Sequence, residues 1–71
     1  MNIEKLRKII EDKGVTYVFI ANKLGITKNA LSRKMNEKSD FKCGEMKTIA
    51  EILQISAQDF DEIFFGIKVG K

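Results

Sequence analysis

The sequence predicts an all-α domain, a compact bundle of five short helices, on three observations. Proline is absent, glycine occurs at only five positions, and apolar residues recur at spacings of three and four residues along the chain. An all-β domain would instead require frequent turn residues and strict alternation of apolar and polar side chains. The 71 residues suffice for one domain with one small core, so we assign residues 1–66 to the helical domain and 67–71 to a short C-terminal tail.

The first helix is predicted from about Ile3 to Asp12. Asn2 precedes it as a good N-cap, and Gly14 follows it where a left-handed residue would end the helix. Charged side chains, Arg7 among them, fill the other side and are expected to form an ordinary solvated surface. The side expected to be buried carries Ile3, Leu6, Ile9 and Ile10.

The second and third helices flank a glycine turn. Thr16 caps a helix that runs to about Leu24, where Gly25 can take the left-handed conformation that closes it. Thr27 then caps a helix over about Lys28 to Met35. The residues expected to be buried are Val18 or Phe19 together with Ile20, Ala21 and Leu24 in the second helix, Ile26 beneath the turn, and Ala30, Leu31 and Met35 in the third.

The last two helices follow a short polar loop. Phe41 is expected to pack back as a staple at the entry of a helix over about Cys43 to Leu53. Ser56, with Asp59 three residues later, has the spacing of a capping box at the start of the fifth helix, which Gly66 ends. The residues expected to be buried are Met46, Ile49, Ala50, Leu53, Phe60, Ile63 and Phe64.

Charge is unevenly distributed along the chain, whose formal net charge is +3. The stretch from Lys13 to Asn36 contains five basic residues and no acid, whereas the stretch from Glu51 to Phe65 contains four acids and no base. A basic half that faces a polyanion, with an acidic half turned away from it, suits nucleic-acid binding. The pattern therefore favours a nucleic-acid partner.

Composition argues against several other classes of protein. Histidine is absent and Cys43 is the only cysteine, so the chain has neither an internal disulfide nor a Cys/His zinc site. Cys43 is expected to be an ordinary half-buried residue, and neither it nor any serine has an evident base partner, so we expect no enzymatic activity, cofactor or metal. The apolar runs are too short to cross a bilayer and no secretory signal opens the chain, which predicts a cytoplasmic protein without membrane contact.

The stretch TYVFIANKLGITKNALSRKMN carries the most informative pattern: two helices around a glycine turn, with the small Ala21 four residues before Gly25 so that the helices can approach closely. It resembles the DNA-binding domain of the phage Cro and repressor family, the Xre-type helix-turn-helix proteins with a lambda-repressor-like fold. The segment SDFKCGEMKTIAEILQISAQDFDEIFF is similar to small prophage-encoded members. The resemblance implies a sequence-specific transcriptional regulator, Cro-like or repressor-like, that inserts its third helix into the major groove of a palindromic operator.

The resemblance also implies which side chains meet DNA. Matched by position, base contacts fall on Lys28, Asn29, Ser32 and Arg33 of the third helix. Their chemistry agrees, because arginine and lysine donate to guanine, asparagine pairs with adenine, and serine is adaptable. The positions that touch phosphate in the family are Tyr17, Asn36 and Lys38, and we add Lys23, Lys34 and Lys42 as further phosphate candidates.

Three positions depart from that family's pattern. Phe19 stands where a polar residue is commoner, and we expect it either on an exposed patch or packed against the first helix. Gln54 replaces the glycine usual after the fourth helix, so either Gln54 takes a left-handed conformation or that helix ends differently. Lys42 occupies a common capping position, which leaves the start of the fourth helix open.

Family members bind as dimers to two half-sites about one helical turn, roughly 34 Å, apart, so a homodimer is expected at least on DNA. The candidate dimer interface comprises Phe65, Ile67 and Val69, apolar groups that so small a core does not cover. The alternative function is a protein-interaction module, an antirepressor or antitoxin component, that grips a protein through Phe65 and the tail. Binding that weakens steeply with salt would favour DNA over this alternative.

Overall fold

The computed structural model describes residues 1–66, which form five α-helices and no strand. The all-α class and the order of the helices are therefore confirmed. The tail assigned to residues 67–71 lies outside the described residues. Within residues 1–66, no helix is long and apolar enough to cross a membrane. The helices are α1 (Ile3–Lys13), α2 (Tyr17–Leu24), α3 (Lys28–Met35), α4 (Cys43–Leu53) and α5 (Ala57–Phe65).

Polar side chains fix where four of these helices begin. Asn2 Oδ1 accepts a hydrogen bond from the Lys5 N–H at 3.2 Å. The hydroxyls of Thr16, Thr27 and Ser56 accept in the same way from the backbone N–H three residues later, at 3.0–3.2 Å. Each bond satisfies a backbone donor that the first turn of a helix leaves without a partner. The four predicted caps are thus confirmed.

Helix α4 begins differently, because Lys42 has no side-chain acceptor. Glu45 Oε1 instead accepts from the Lys42 N–H at 2.9 Å, which is one half of a capping box. The helix still begins at Cys43, as predicted. The thiol of Cys43 is exposed, so the expectation that it is half-buried is wrong.

The core draws on every helix. Helix α1 packs on α4 and α5, and α2 packs on α3 and α4. Phe41 is buried in the loop before α4, and its ring meets that of Phe64 nearly edge-on, with 5.8 Å between centroids. The buried apolar residues are Ile3, Leu6, Ile10, Ile20, Ala21, Leu31, Met35, Phe41, Ile49, Leu53, Ile63 and Phe64.

Some predictions about the core are wrong, and neither Val18 nor Phe19 is buried. Seven other residues expected to be buried are only half-buried: Ile9, Leu24, Ile26, Ala30, Met46, Ala50 and Phe60. Val18 is 50% exposed and Phe19 is 45% exposed. The inward side of this short helix is occupied by Ile20 and Ala21, which places the two earlier residues towards solvent. Of the two alternatives for Phe19, the exposed patch is the one observed. Its ring lies under the Lys23 ammonium, 5.4 Å from Nζ to centroid.

Gln54 ends α4 in the left-handed region, at φ 54° and ψ 49°, as one of the two alternatives predicted. A side chain in that conformation costs about 1–2 kcal/mol. Gln54→Gly is expected to raise the free energy of unfolding by about 0.5–1 kcal/mol, because relief of strain exceeds the extra chain entropy of glycine. Urea denaturation followed by circular dichroism measures the change. Gln58→Gly, in the helical backbone of α5, should lower stability instead, and a loss at both positions would contradict the prediction.

Candidate nucleic-acid interface

Helix α3 is held against α2 by a tight turn. Gly25 takes a left-handed conformation at φ 73°, and the next residue, Ile26, donates its N–H to the Ala21 carbonyl at 3.0 Å. The small side chain of Ala21 and the fully enclosed Leu31 belong to the same buried cluster. The turn and this packing together set the orientation of α3.

The outer side of α3 carries the four predicted base contacts. Lys28, Asn29 and Arg33 are exposed, and Ser32 is half-buried. Positions 28, 29, 32 and 33 share one face of a helix, and Leu31 and Met35 occupy the buried face. Within residues 1–66, neither Lys28 nor Arg33 has a carboxylate within 4.0 Å. Both cations are therefore available to an external partner.

Most of the predicted phosphate contacts are accessible to solvent. Lys23, Lys38 and Lys42 are exposed, and Tyr17 is half-buried as the first residue of α2. Lys38 follows α3 closely, and its N–H donates to the Arg33 carbonyl at 2.8 Å. The loop that holds it begins with Glu37 in a left-handed conformation at φ 60°. This acid is exposed and lies next to the basic residues.

Lys34 differs from the other lysines predicted to contact phosphate, because its ammonium forms an ion pair and a hydrogen bond within the fold. Nζ lies 3.1 Å from Glu45 Oε1 and donates to the Asp40 carbonyl at 2.8 Å. Both charged side chains are only 11% exposed. These contacts link the end of α3 to the following loop and to the start of α4, and they compete with the predicted phosphate contact of Lys34.

The carboxylate of Glu45 is stabilised in its ionised form. Partial burial alone would raise its pKa, but the hydrogen bond from the Lys42 N–H and the Lys34 ammonium outweigh this, and the pKa of Glu45 lies below its ordinary value of 4.5. Because the pKa is depressed in the folded state, the stabilisation is complete above pH 4.5 and is lost as pH falls through the lower folded value.

Glu45→Gln is expected to lower the free energy of unfolding by about 1.5–3 kcal/mol at pH 7, the range for hydrogen bonds to charged groups. The difference from the wild type should begin to shrink below pH 4.5 and vanish as pH falls through the lower pKa of the folded carboxyl, where the wild-type group also becomes neutral. Urea denaturation at pH 7 and pH 3 measures both values. Glu51→Gln, at an exposed position of the same helix, is the matched control and should change little at either pH. A Glu45 effect that does not depend on pH would contradict the assignment.

Arg7 was predicted to be an ordinary solvated residue, but it reaches the end of α3. Its Nη2 donates to the Met35 carbonyl at 3.2 Å and to Asn36 Oδ1 at 2.8 Å. The partners are 28 and 29 residues away in sequence, so no local pattern indicates the contact. The predicted phosphate contact Asn36 is exposed, with its oxygen facing Arg7.

Two carboxylates of the acidic stretch pair with a lysine of the first helix. Lys5 of α1 forms ion pairs with Asp59 and Glu62 of α5, each at 3.0 Å. The hydrogen bonds with Asp59 and then Glu62 raise the pKa of Lys5 above its ordinary value of 10.5. At the end of α5, Phe65 is 56% exposed, with its ring 5.8 Å from that of Phe60. The other two residues of the predicted dimer interface, Ile67 and Val69, lie outside the described residues.

Comparison with known proteins gives a family for the sequence. Residues 3–67 match the family model described as "Protein of unknown function (DUF739)". That range includes all five helices. No curated protein and no solved structure matches the sequence.

Proposed function

The chain belongs to the DUF739 family, and we propose that it is a sequence-specific DNA-binding transcriptional regulator that inserts α3 into the major groove of a palindromic operator. In this proposal, α2, the Gly25 turn and α3 act as a helix-turn-helix. The observation that carries it is the outer face of α3, where Lys28, Asn29 and Arg33 are exposed together on a helix anchored by buried residues.

The dimensions and chemistry of α3 suit a major groove. An α-helix with its side chains is about 10–12 Å across, and the major groove of B-form DNA is about 12 Å wide. Arg33 and Lys28 can donate to guanine O6 and N7, and the amide of Asn29 can pair with adenine. Leu31 and Met35 hold the helix in place from beneath, so its backbone does not have to be ordered when these groups meet base edges.

The surrounding polar groups would set the position of the protein on the duplex. Tyr17, Lys23, Asn36, Lys38 and Lys42 are proposed to contact phosphate, which fixes register without reading sequence. We leave Lys34 out of this set, because its ammonium already forms an ion pair with Glu45 and a hydrogen bond to the Asp40 carbonyl. The logarithm of the binding constant should fall by about 0.9 per phosphate contact for each tenfold rise in salt.

A single α3 reads few base pairs, so we propose that two copies bind adjacent half-sites. The exposed ring of Phe65 at the end of α5 supports contact between copies. Ile67 and Val69, the other two residues of the predicted dimer interface, follow it in the sequence. Half-sites about 10 base pairs apart, centre to centre, are then expected.

Selection of bound duplexes from a random pool tests the proposal. The expected result is enrichment of a sequence with dyad symmetry, together with a steep loss of affinity as salt is raised from about 50 to 200 mM. Failure to enrich any sequence, or binding that is insensitive to salt, would contradict it. A protein-interaction module, an antirepressor or antitoxin component, is the second candidate, favoured by the exposure of Phe65. Salt-insensitive binding to a protein, without DNA enrichment, would support this candidate instead.

A further inference from the structure

Arg7 links α1 to the end of α3, the helix that is proposed to enter the major groove. Arg7 lies on α1, whereas Met35 and Asn36 are the last residue of α3 and its C-cap. An open groove of about 280 Å³ lies at this junction, lined in part by Arg7, Asn36 and Glu37. Helix α1 therefore borders the surface on which we propose that DNA lies.

The position of the guanidinium suits the carbonyl end of a helix. The last carbonyls of α3 lack partners within the helix and carry partial negative charge, and Nη2 of Arg7 donates to one of them, that of Met35. The two bonds from Nη2 use two of the five N–H donors of the group. In the described part of the chain, the other three have no hydrogen-bond partner.

The hydrogen bond from Arg7 to Asn36 determines which part of the Asn36 amide faces solvent. An amide side chain has an oxygen that accepts and a nitrogen that donates, on opposite sides of one planar group. The Asn36 oxygen faces Arg7 at 2.8 Å, so its NH₂ group is turned away from Arg7, and the residue is exposed. A phosphate oxygen only accepts hydrogen bonds, so this orientation matches phosphate, and the reversed orientation would not.

We propose that Arg7 is a positioning residue of the DNA-binding surface: it orients the Asn36 amide so that its NH₂ group donates to a backbone phosphate, and it holds the end of α3. The proposal rests on the proposed function and extends the surface to α1. It attributes the contribution of Arg7 to DNA affinity to the two hydrogen bonds that Nη2 donates, rather than to positive charge alone. This distinction can be tested.

A double-mutant cycle with Arg7→Ala and Asn36→Ala, using the selected duplex and a random duplex, tests the coupling. Each single change is expected to weaken binding about fivefold on both duplexes, the size of one hydrogen bond. In the Arg7→Ala background, Asn36→Ala should have less than about a twofold effect, because the amide is no longer oriented. If the fold-loss in affinity of the double variant equals the product of the two single losses, the residues act independently and the proposal is overturned.

Arg7→Lys separates positioning from charge, because lysine keeps the charge but lacks the planar group with fixed donors. We expect its affinity to match that of Arg7→Ala, and full recovery with lysine would overturn the proposal. Lys8→Ala removes the same charge from an exposed site on the same helix and should weaken binding less. Binding is measured below the unfolding transition of every variant. If the wild type binds no duplex, the proposed function fails. If the wild type binds but the Arg7 and Asn36 variants lose affinity independently, only the role of Arg7 is refuted.

Discussion

Replacing Leu31 by alanine is expected to leave a large part of the protein unfolded at 25 °C. The side chain is fully buried, at 0% exposed, and belongs to the core cluster beneath the outer face of α3. Truncation of such a leucine costs about 2–5 kcal/mol, as the sum of lost burial and the cavity left behind. A domain of this size rarely has more than about 3–5 kcal/mol of stability, so the loss is comparable to the whole.

Urea denaturation followed by circular dichroism measures the effect of Leu31→Ala. Leu24→Ala is the matched control, since Leu24 ends the neighbouring helix and is only partly buried. It should cost clearly less, because less area returns to water and the surroundings can relax. Equal losses at the two positions would show that α3 is not held chiefly through Leu31.

Arg33→Ala is expected to weaken binding to the selected operator by about 1–3 kcal/mol and to change binding to a random duplex much less. One good two-pronged contact with guanine contributes discrimination of that size. Lys38→Ala, in the loop after α3, should weaken binding to both duplexes about equally and reduce the salt slope by about one unit, as removal of a phosphate contact does. Titration of both duplexes at several salt concentrations measures all four affinities.

Both side chains are exposed, so the free energy of unfolding of these two variants should stay within about 0.5 kcal/mol of the wild type. This separates an effect on recognition from an effect on folding. Equal losses for Arg33→Ala on the operator and on random DNA would remove Arg33 from the base-contact set. A preference of Lys38→Ala for one duplex would argue against a pure phosphate role.

The bounds of the helices were predictable because their signals are local. A cap such as Thr16 or Thr27 and a left-handed glycine such as Gly25 act within a few residues of their own position. The exposure of the outer face of α3 was predictable for the same reason, since helical spacing separates it from Leu31 and Met35. For α3 and α4, the predicted and observed bounds coincide.

Contacts between distant segments were not predictable in this way. Arg7 meets Asn36 because α1 and the end of α3 are neighbours in the fold, which no spacing in the sequence expresses. The ion pair of Lys34 with Glu45 had a partial signal: Lys34 follows Leu31 by three residues and therefore borders the buried face, but its partner depends on where α4 packs. The expected burial of either Val18 or Phe19 was wrong because an apolar side chain does not have to lie in the core.

The exposed sulfur at the start of α4 offers a practical route to the geometry of a complex. Cys43 is the only thiol in the sequence, so a maleimide dye would attach at one known atom without entering the core. Energy transfer from this dye to an acceptor placed on either end of a short oligonucleotide would report which way each protomer faces along the duplex. The chain can therefore be labelled for optical distance measurements without a single change to its amino acids.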